Sequence, residues 1–181
     1  MKQKGYSLIE LMTTIAVASI LITVAMPGMQ SFRMNSHMTG EVNDLVSAMH
    51  LARNTAITVN SRVTLCASSD GDNCGSTAWD EGWIVFIDLD RDQSVDPGET
   101  IVGVGTDTDG ITISSTQFSN FLVYRPNGRA MKNVISESSG QFNICDRRGA
   151  QYAKAVVIDL SGRPRTADKT SPGVTIGCPS S

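Results

Sequence analysis

Along the 181-residue chain the hydrophobic pattern changes character twice. From Leu11 to Met26 the residues are apolar or small and hydroxylated almost without interruption, and Pro27-Gly28 closes the run. A stretch of that length crosses a bilayer as a helix. From Gly28 to about Asn60 the apolar residues Met38, Val42, Leu45, Val46, Met49, Ala52 and Ala56 recur at three and four, while His37, Glu41, Asn43, Asp44, His50 and Arg53 mostly occupy other faces. This spacing predicts an amphipathic helix continuous with the first, about 55 residues and about 80 Å in all at 1.5 Å per residue. After Asn60 come short β-branched or aromatic runs at 62–66, 83–87, 99–104, 110–114, 121–124, 140–145, 153–159 and 173–176, separated by Gly, Asp, Asn and Ser clusters. They predict an antiparallel β domain. The fold class is α+β, a long N-terminal helix whose first half lies in lipid and whose second half packs on an antiparallel sheet.

Lys2 and Lys4 precede the apolar run, which holds the N-terminus in the cytoplasm and sends the rest outward. Glu10 stands at the membrane edge of the run, where an unpaired carboxylate reaching the bilayer centre would cost about 2.5–3.5 kcal/mol. A group that expensive calls for a partner. A secretory signal peptide would place a small-residue cleavage site after the apolar stretch. Here Gly5 precedes it, and Val24-Ala25-Met26-Pro27 makes a poor exit site.

Leader, Gly5, aromatic Tyr6, Glu10 and apolar run together resemble the class III signal of type IV pilins and pseudopilins. The resemblance implies cleavage after Gly5 by a prepilin peptidase and methylation of the new N-terminus, Tyr6. Glu10 becomes the fifth residue of the mature chain, and its implied partner is the free N-terminal amine of the neighbouring subunit. Pro27 falls where pilin helices kink. Tyr6 departs from the usual phenylalanine, with an aromatic of similar shape. The implied organisation is a leader at 1–5, a transmembrane or filament-core helix at 6–27, the amphipathic half of the helix at 28–60, and a periplasmic β domain at 61–181 that forms one globular unit with 28–60. The implied location is the bacterial inner membrane, crossed once, and later a pilus or pseudopilus built with other pilin or pseudopilin subunits.

Without leader and membrane stretch about 150 residues remain, enough for one domain with its own core. Cys66, Cys74, Cys145 and Cys178 all lie in the part that would be exported, and an even count in an oxidising compartment reads as disulfides. Three pairings are possible, and loop locality favours Cys66–Cys74 with Cys145–Cys178. Zinc fits poorly, because no spacing is C-x2-C and the two histidines, His37 and His50, lie on the predicted helix, where they read as solvated.

The net charge of −3 hides a polarised molecule. Residues 70–124 carry eleven acidic side chains and one basic, Arg91, whereas residues 125–181 carry nine basic and four acidic. A basic C-terminal third suits a phosphate backbone, and the acidic middle would repel one. Leu51-Ala-Arg-Asn-Thr-Ala-Ile57, Val63-Thr-Leu-Cys66, Gly82-Trp-Ile-Val-Phe-Ile-Asp88 with its acidic turn to Glu99, and Gly162-Arg-Pro-Arg165 are similar, in order, to the FimT/GspH family of minor pilins and pseudopilins. The Gly-Arg-x-Arg element resembles FimT-type minor pilins, which bind DNA in natural transformation and competence; GspH-type members belong to type II secretion.

Proline pushes the preceding residue toward extended geometry, so Arg163 and Arg165 project on the same side of Pro164. Guanidinium groups grip phosphate oxygens with two hydrogen bonds and stay charged at any relevant pH. Gly162 permits a tight turn. Lys154, Lys169, Arg147 and Arg148 are candidate helpers in contacting double-stranded DNA, through its backbone and with little sequence preference. Asp88, Asp90, Asp92, Ser94, Asp96 and Glu99 fall at positions 1, 3, 5, 7, 9 and 12 of a calcium-loop pattern. Gln93 replaces the glycine of the sixth position and the segment links strands, so it reads first as an acidic hairpin turn, with a calcium site as the lesser alternative. No nucleophile elbow, phosphate loop or paired metal ligands appear, and neither enzyme activity nor a cofactor is expected. The expected function is a DNA-binding minor pilin; the alternative is a structural minor pilin or type II secretion pseudopilin that primes assembly without touching DNA.

If Gly5–Tyr6 is the scissile bond, mass spectrometry of the protein from its host is expected to find a chain that starts at methylated Tyr6. Start sites at Met1 or near Pro27 would contradict the pilin signal.

Overall fold

The computed structural model describes residues 5–75, 78–132 and 138–178. The leader lysines Lys2 and Lys4, and the side chain of Pro27, lie outside the described residues. Helix α1 runs Leu8–Val59. Ser7 opens it: its Oγ accepts the Glu10 N–H at 3.3 Å, and Ser-x-x-Glu is the sequence signature of a capping box. Asn60 closes it in the left-handed conformation, φ 52°, which asparagine tolerates better than most residues.

The chain divides into two compact units, residues 1–37 and Met38–Ser181. In the first, Leu8, Ile9, Met12, Ile15, Ile20 and Leu21 are all exposed. A helix apolar all round has no single core-facing stripe and requires an apolar surrounding. Among the described residues no single helix is long and apolar enough to cross a membrane; Leu8–Thr23 and Gly28–Val59, bent at the break between them, reach that length and composition only when taken together.

The second unit is built on the helical stripe. Met38, Val42, Leu45, Ala48, Met49, Ala52 and Ala56 are buried, and Val46 packs at the edge. Two antiparallel sheets share the core with them. The strands, in chain order, are β1 Arg62–Ala67, β2 Trp83–Asp88, β3 Thr100–Gly105, β4 Ile111–Ser114, β5 Phe121–Tyr124, β6 Ala130–Met131, β7 Gly140–Asp146, β8 Lys154–Ile158 and β9 Pro164–Asp168. One sheet has the order β3-β2-β1-β5-β6 and the other β4-β7-β8-β9. Val63, Leu65, Val85, Leu122 and Tyr124 come from the first, and Ile111, Ile113, Phe142, Ile144, Val156 and Ile158 from the second. Trp79 joins the two groups. Its ring meets Phe142 edge-on at 5.0 Å, Phe118 stacks on Phe142 at 5.6 Å, and the buried indole N–H donates to the Phe118 carbonyl at 2.9 Å. A buried indole needs such an acceptor, because leaving its N–H unpaired costs about 1–3 kcal/mol.

Two disulfides tie loops to the sheets. Cys66–Cys74 closes the loop after β1, where Cys66, Ile84 and Phe86 form a second small apolar cluster with Val95, Ile101 and Phe121. Cys145–Cys178 ties the C-terminal segment to β7.

The structure differs from the sequence expectation at the C-terminal end. Gly173–Ile176 forms no strand. The segment lies over the exposed face of β7 and β8, lining a groove of about 640 Å³ with Gln141, Asn143 and Val157, and Gln141 Nε2 donates to the Thr175 carbonyl at 2.7 Å. Laid over a face instead of beside an edge, its backbone meets no ladder to extend. The edge is taken by β9, whose first residue is Pro164, a position where a missing N–H costs no ladder bond.

Replacing Cys145 and Cys178 together by serine opens a loop with a sequence separation of 33. Chemical denaturation is expected to show a loss of roughly 3–4 kcal/mol by the chain-entropy relation, with the far-ultraviolet dichroism of the folded state unchanged.

Candidate nucleic-acid interface

The Gly162 motif sits in the turn from β8 to β9. The Gly162 N–H donates to the Asp159 carbonyl at 2.9 Å, and Asp159 Oδ1 accepts the Ser161 N–H at 2.9 Å. The Ser161 hydroxyl, with the backbone N–H groups of Arg163 and Ser161, holds the Asp159 carboxyl below the usual carboxylate range against a smaller opposing effect of burial. Gly162 takes φ +75°, and a Cβ there would lie 2.0 Å from the Gly128 carbonyl oxygen. Only glycine fits, for both reasons at once.

Gly128 belongs to the turn between β5 and β6, Arg125-Pro-Asn-Gly-Arg129. The Gly128 N–H donates to the Arg125 carbonyl at 2.8 Å, and the Arg125 N–H to the Arg129 carbonyl at 3.1 Å. Proline at the second place of the turn sets its φ in advance. From the helix, Arg53 Nε donates to the Gly128 carbonyl at 3.0 Å. Helix, first turn and second turn are thus stacked, with the Gly128 carbonyl as the common contact.

This stacking fixes where the arginines point. Arg163 and Arg165 are exposed, and Pro164 between them is buried. Paired residues of antiparallel strands share a face. Pro164 pairs with Ile158, whose side chain enters the core. Arg165 pairs with Val157, on the opposite face, and Arg163 has the same parity. Arg129, also exposed, is one residue from the Gly128–Gly162 contact. Partial burial, then the Arg91 and Arg125 guanidiniums, lower the Arg62 pKa against the pull of Asp88, so Arg62 feels charges of both the β5–β6 turn and the acidic β2–β3 loop.

The other four candidate residues gather elsewhere. Lys154 pairs with Asp168, whereas Ile158 pairs with Pro164, so Lys154, Lys169 and the β7–β8 turn with Arg147 and Arg148 lie at the far end of the sheet. The separation is roughly 14 Å along the strand at about 3.4 Å per residue. Lys154 also turns toward the helix, its Nζ donating to Thr39 Oγ1 at 2.7 Å. Arg148 binds the Asp146 carboxylate, Nη2 to Oδ2 at 2.6 Å, and its guanidinium lies 4.4 Å from the centre of the Tyr152 ring. Burial tends to raise the Asp146 pKa, but the Arg148 hydrogen bonds outweigh it and hold the group low.

Tyr6 and Glu10 are exposed at the start of α1 and Gly5 just precedes it, while His37 and His50 are exposed on α1. Sequence reasoning does not single out Arg53, Arg125 and Arg129 for this surface. Pro126-Asn-Gly128 flanked by two arginines is a visible turn signal, but nothing in the sequence brings residue 128 against residue 162.

The family described as type II transport protein GspH matches residues 41–162, and the prokaryotic N-terminal methylation motif matches residues 1–26. No curated protein matches the chain significantly. Two crystal forms of the type IV minor pilin FimU of Pseudomonas aeruginosa are similar in fold, with TM-scores of 0.61 and 0.53 at 15% and 16% identity. They cover 77% and 74% of this chain and 95% and 94% of FimU. The minor pseudopilin EpsH, from the type 2 secretion system of Vibrio cholerae, is similar with a TM-score of 0.50 at 9% identity, covering 75% of this chain and 99% of EpsH. At these identities the likeness is one of fold.

Gly162→Ala forces a Cβ into the Gly128 carbonyl and an unfavourable φ on the residue. Denaturant titration is expected to show a loss of about 1–3 kcal/mol, whereas Gly173→Ala, whose Cβ would meet nothing within 4 Å, is expected to lose less.

Proposed function

The chain belongs to the GspH family of type IV pilin-like minor subunits, and we propose that within it the protein binds double-stranded DNA for uptake in natural transformation. A minor pilin or pseudopilin assembles with other pilin-like subunits, and its fold is that of structural pilins. On this reading the leader is removed at Gly5–Tyr6 by a prepilin peptidase. The apolar unit anchors the subunit in the inner membrane and then enters the filament, with Glu10 paired to a neighbour's N-terminal amine. The Met38–Ser181 unit faces the periplasm.

The observation that carries the DNA reading is the display of Arg163 and Arg165 on one exposed face either side of a buried proline, with Arg129 brought beside them by the Gly128–Gly162 contact. Two or three exposed guanidiniums carried on neighbouring turns suit the phosphate oxygens of a nucleic-acid backbone. Neither turn, 125–129 or 159–165, contains an aromatic residue on which a base could stack, which favours contacts that ignore sequence. A purely structural subunit, as in a secretion pseudopilus, is the competing reading; the family description, which names type II transport, favours it.

A salt titration decides between them. The full chain in detergent micelles is expected to bind unrelated duplexes with similar affinity, and the affinity to fall steeply with salt at a log–log slope of about −0.9 per phosphate contact. Arg163→Ala with Arg165→Ala is expected to flatten the slope by roughly two units, and Arg129→Ala by about one. Arg147→Ala with Lys169→Ala, at the far end of the sheet, is expected to leave it nearly unchanged. Absence of binding at low salt, or a double variant that binds like the wild type, would leave the structural subunit as the function.

A further inference from the structure

The acidic β2–β3 loop carries more than an ordinary hairpin needs. Carboxylate oxygens of Asp88, Asp90 and Glu99 lie within 4.8 Å of one another, and so do those of Asp90, Asp92 and Asp96. Asp90 belongs to both groups. Two oxygens bound to one calcium ion at 2.3–2.6 Å can be at most about 5 Å apart, so both groups are at the spacing a single ion imposes. Asp88 supplies the independent observation. It is 1% exposed at the end of β2, its Oδ2 accepts the Thr64 hydroxyl at 2.8 Å, and its Oδ1 has no hydrogen-bond partner. Buried polar atoms are seldom left unpaired, and a buried carboxylate oxygen least of all. Arg62, its register partner on β1, lies close enough to feel its charge, but the unpaired oxygen accepts no N–H from it.

We propose that residues Asp88 to Glu99 form a calcium site, with Asp88, Asp90 and Glu99 as principal ligands and Asp92 and Asp96 at its outer side. The sequence objection is Gln93 at the sixth position. In the structure Gln93 itself adopts φ 69°, the left-handed conformation for which glycine is normally required, so the loop turns there without one. Glu99 is drawn back to the start of the loop, where a twelfth-position ligand belongs: its Oε1 accepts the Leu89 N–H at 2.7 Å and its Oε2 the Asp96 N–H at 3.2 Å. Each oxygen keeps a lone pair for a cation. Five carboxylates in twelve residues, opposed within the loop by Arg91 alone, repel one another until a cation enters. A hard divalent ion with flexible, oxygen-only coordination matches this donor set; magnesium, held to a tight octahedron, matches it less well. This site stands apart from the DNA reading and does not depend on it.

The test uses the full chain in detergent, stripped with a chelator and titrated with calcium chloride by calorimetry and by thermal unfolding. The expected result is one ion per chain with Kd in the range of about 10⁻⁴–10⁻³ M typical of extracellular modules, and a Tm that rises with calcium. Magnesium chloride is expected to bind at least roughly tenfold more weakly. Trypsin cleavage after the exposed Arg91 is expected to slow in calcium, a readout on the loop that needs no variant. Asp90→Asn with Glu99→Gln is expected to abolish both effects. Asp90→Asn alone, a milder change, is expected to weaken binding by roughly tenfold or more, and Asp107→Asn outside the loop to change nothing. No heat, no Tm shift and no protection of Arg91 at about 10 mM calcium, far above that range, would overturn the proposal. So would a double variant that binds calcium as the wild type does.

Discussion

The second unit depends on one constraint, that a single stripe of a helix must be covered by two sheets at once. Met38, Leu45 and Met49 supply bulk, and Ala48, Ala52 and Ala56 supply close approach. Alanines toward the C-terminal end of the stripe let the sheets come near the helix axis, where larger side chains would hold them off. Trp79, Phe118 and Phe142 carry the same core onward through ring-to-ring contacts, so the volume that a narrow stripe leaves unfilled is taken up by the largest side chains available.

Because the helix carries Arg53 within its last two turns, the same packing that buries Ala52 and Ala56 presents a guanidinium to the β5–β6 turn. That turn then meets the next one through two glycines. The basic surface is therefore tied to the core: the turn that carries Arg163 rests on Gly128 through Gly162, and the Gly128 carbonyl is held by Arg53. The acidic loop is built differently. Its carboxylates hold backbone N–H groups of their own loop, Asp90 that of Asp92 and Asp92 that of Ser94, while Asp88 reaches into the sheet. One charged region thus comes from turns stacked on the helix, the other from a loop organised by its own side chains.

Much of this is legible in the residues. The spacing of Met38 to Ala56 names the buried face, and Ala48 alone escapes it, because alanine's small side chain gives a weak periodic signal. Most strands follow from β-branched runs between turn residues. Val174-Thr175-Ile176 reads as a strand for the same reason and is not one, since a run of such residues cannot tell whether an edge is available to it. Pro164–Asp168 is a strand despite its proline, because an edge needs no N–H there. The exposed arginine pair is visible in Gly-Arg-Pro-Arg, but its neighbour Arg129 is not, since that contact joins distant parts of the chain by backbone packing alone. Lys154 reads as a helper in the sequence and is turned toward Thr39 in the structure, a matter of strand placement that a charge count does not contain.

The Cys145–Cys178 bond has a consequence in time as well as in space. A chain is made from its N-terminus, so the Cys66–Cys74 loop has both its sulfurs long before Cys178 appears. The helix stripe and both sheets can be in place by then, with β7, β8 and β9 paired. The Cys145–Cys178 bond ties the C-terminal segment that lies over the outer face of β7 and β8, so the groove this segment lines beside Arg165 depends on the bond whose second sulfur is made last. A subunit whose oxidation stops one bond short would carry a finished core and an unfinished surface.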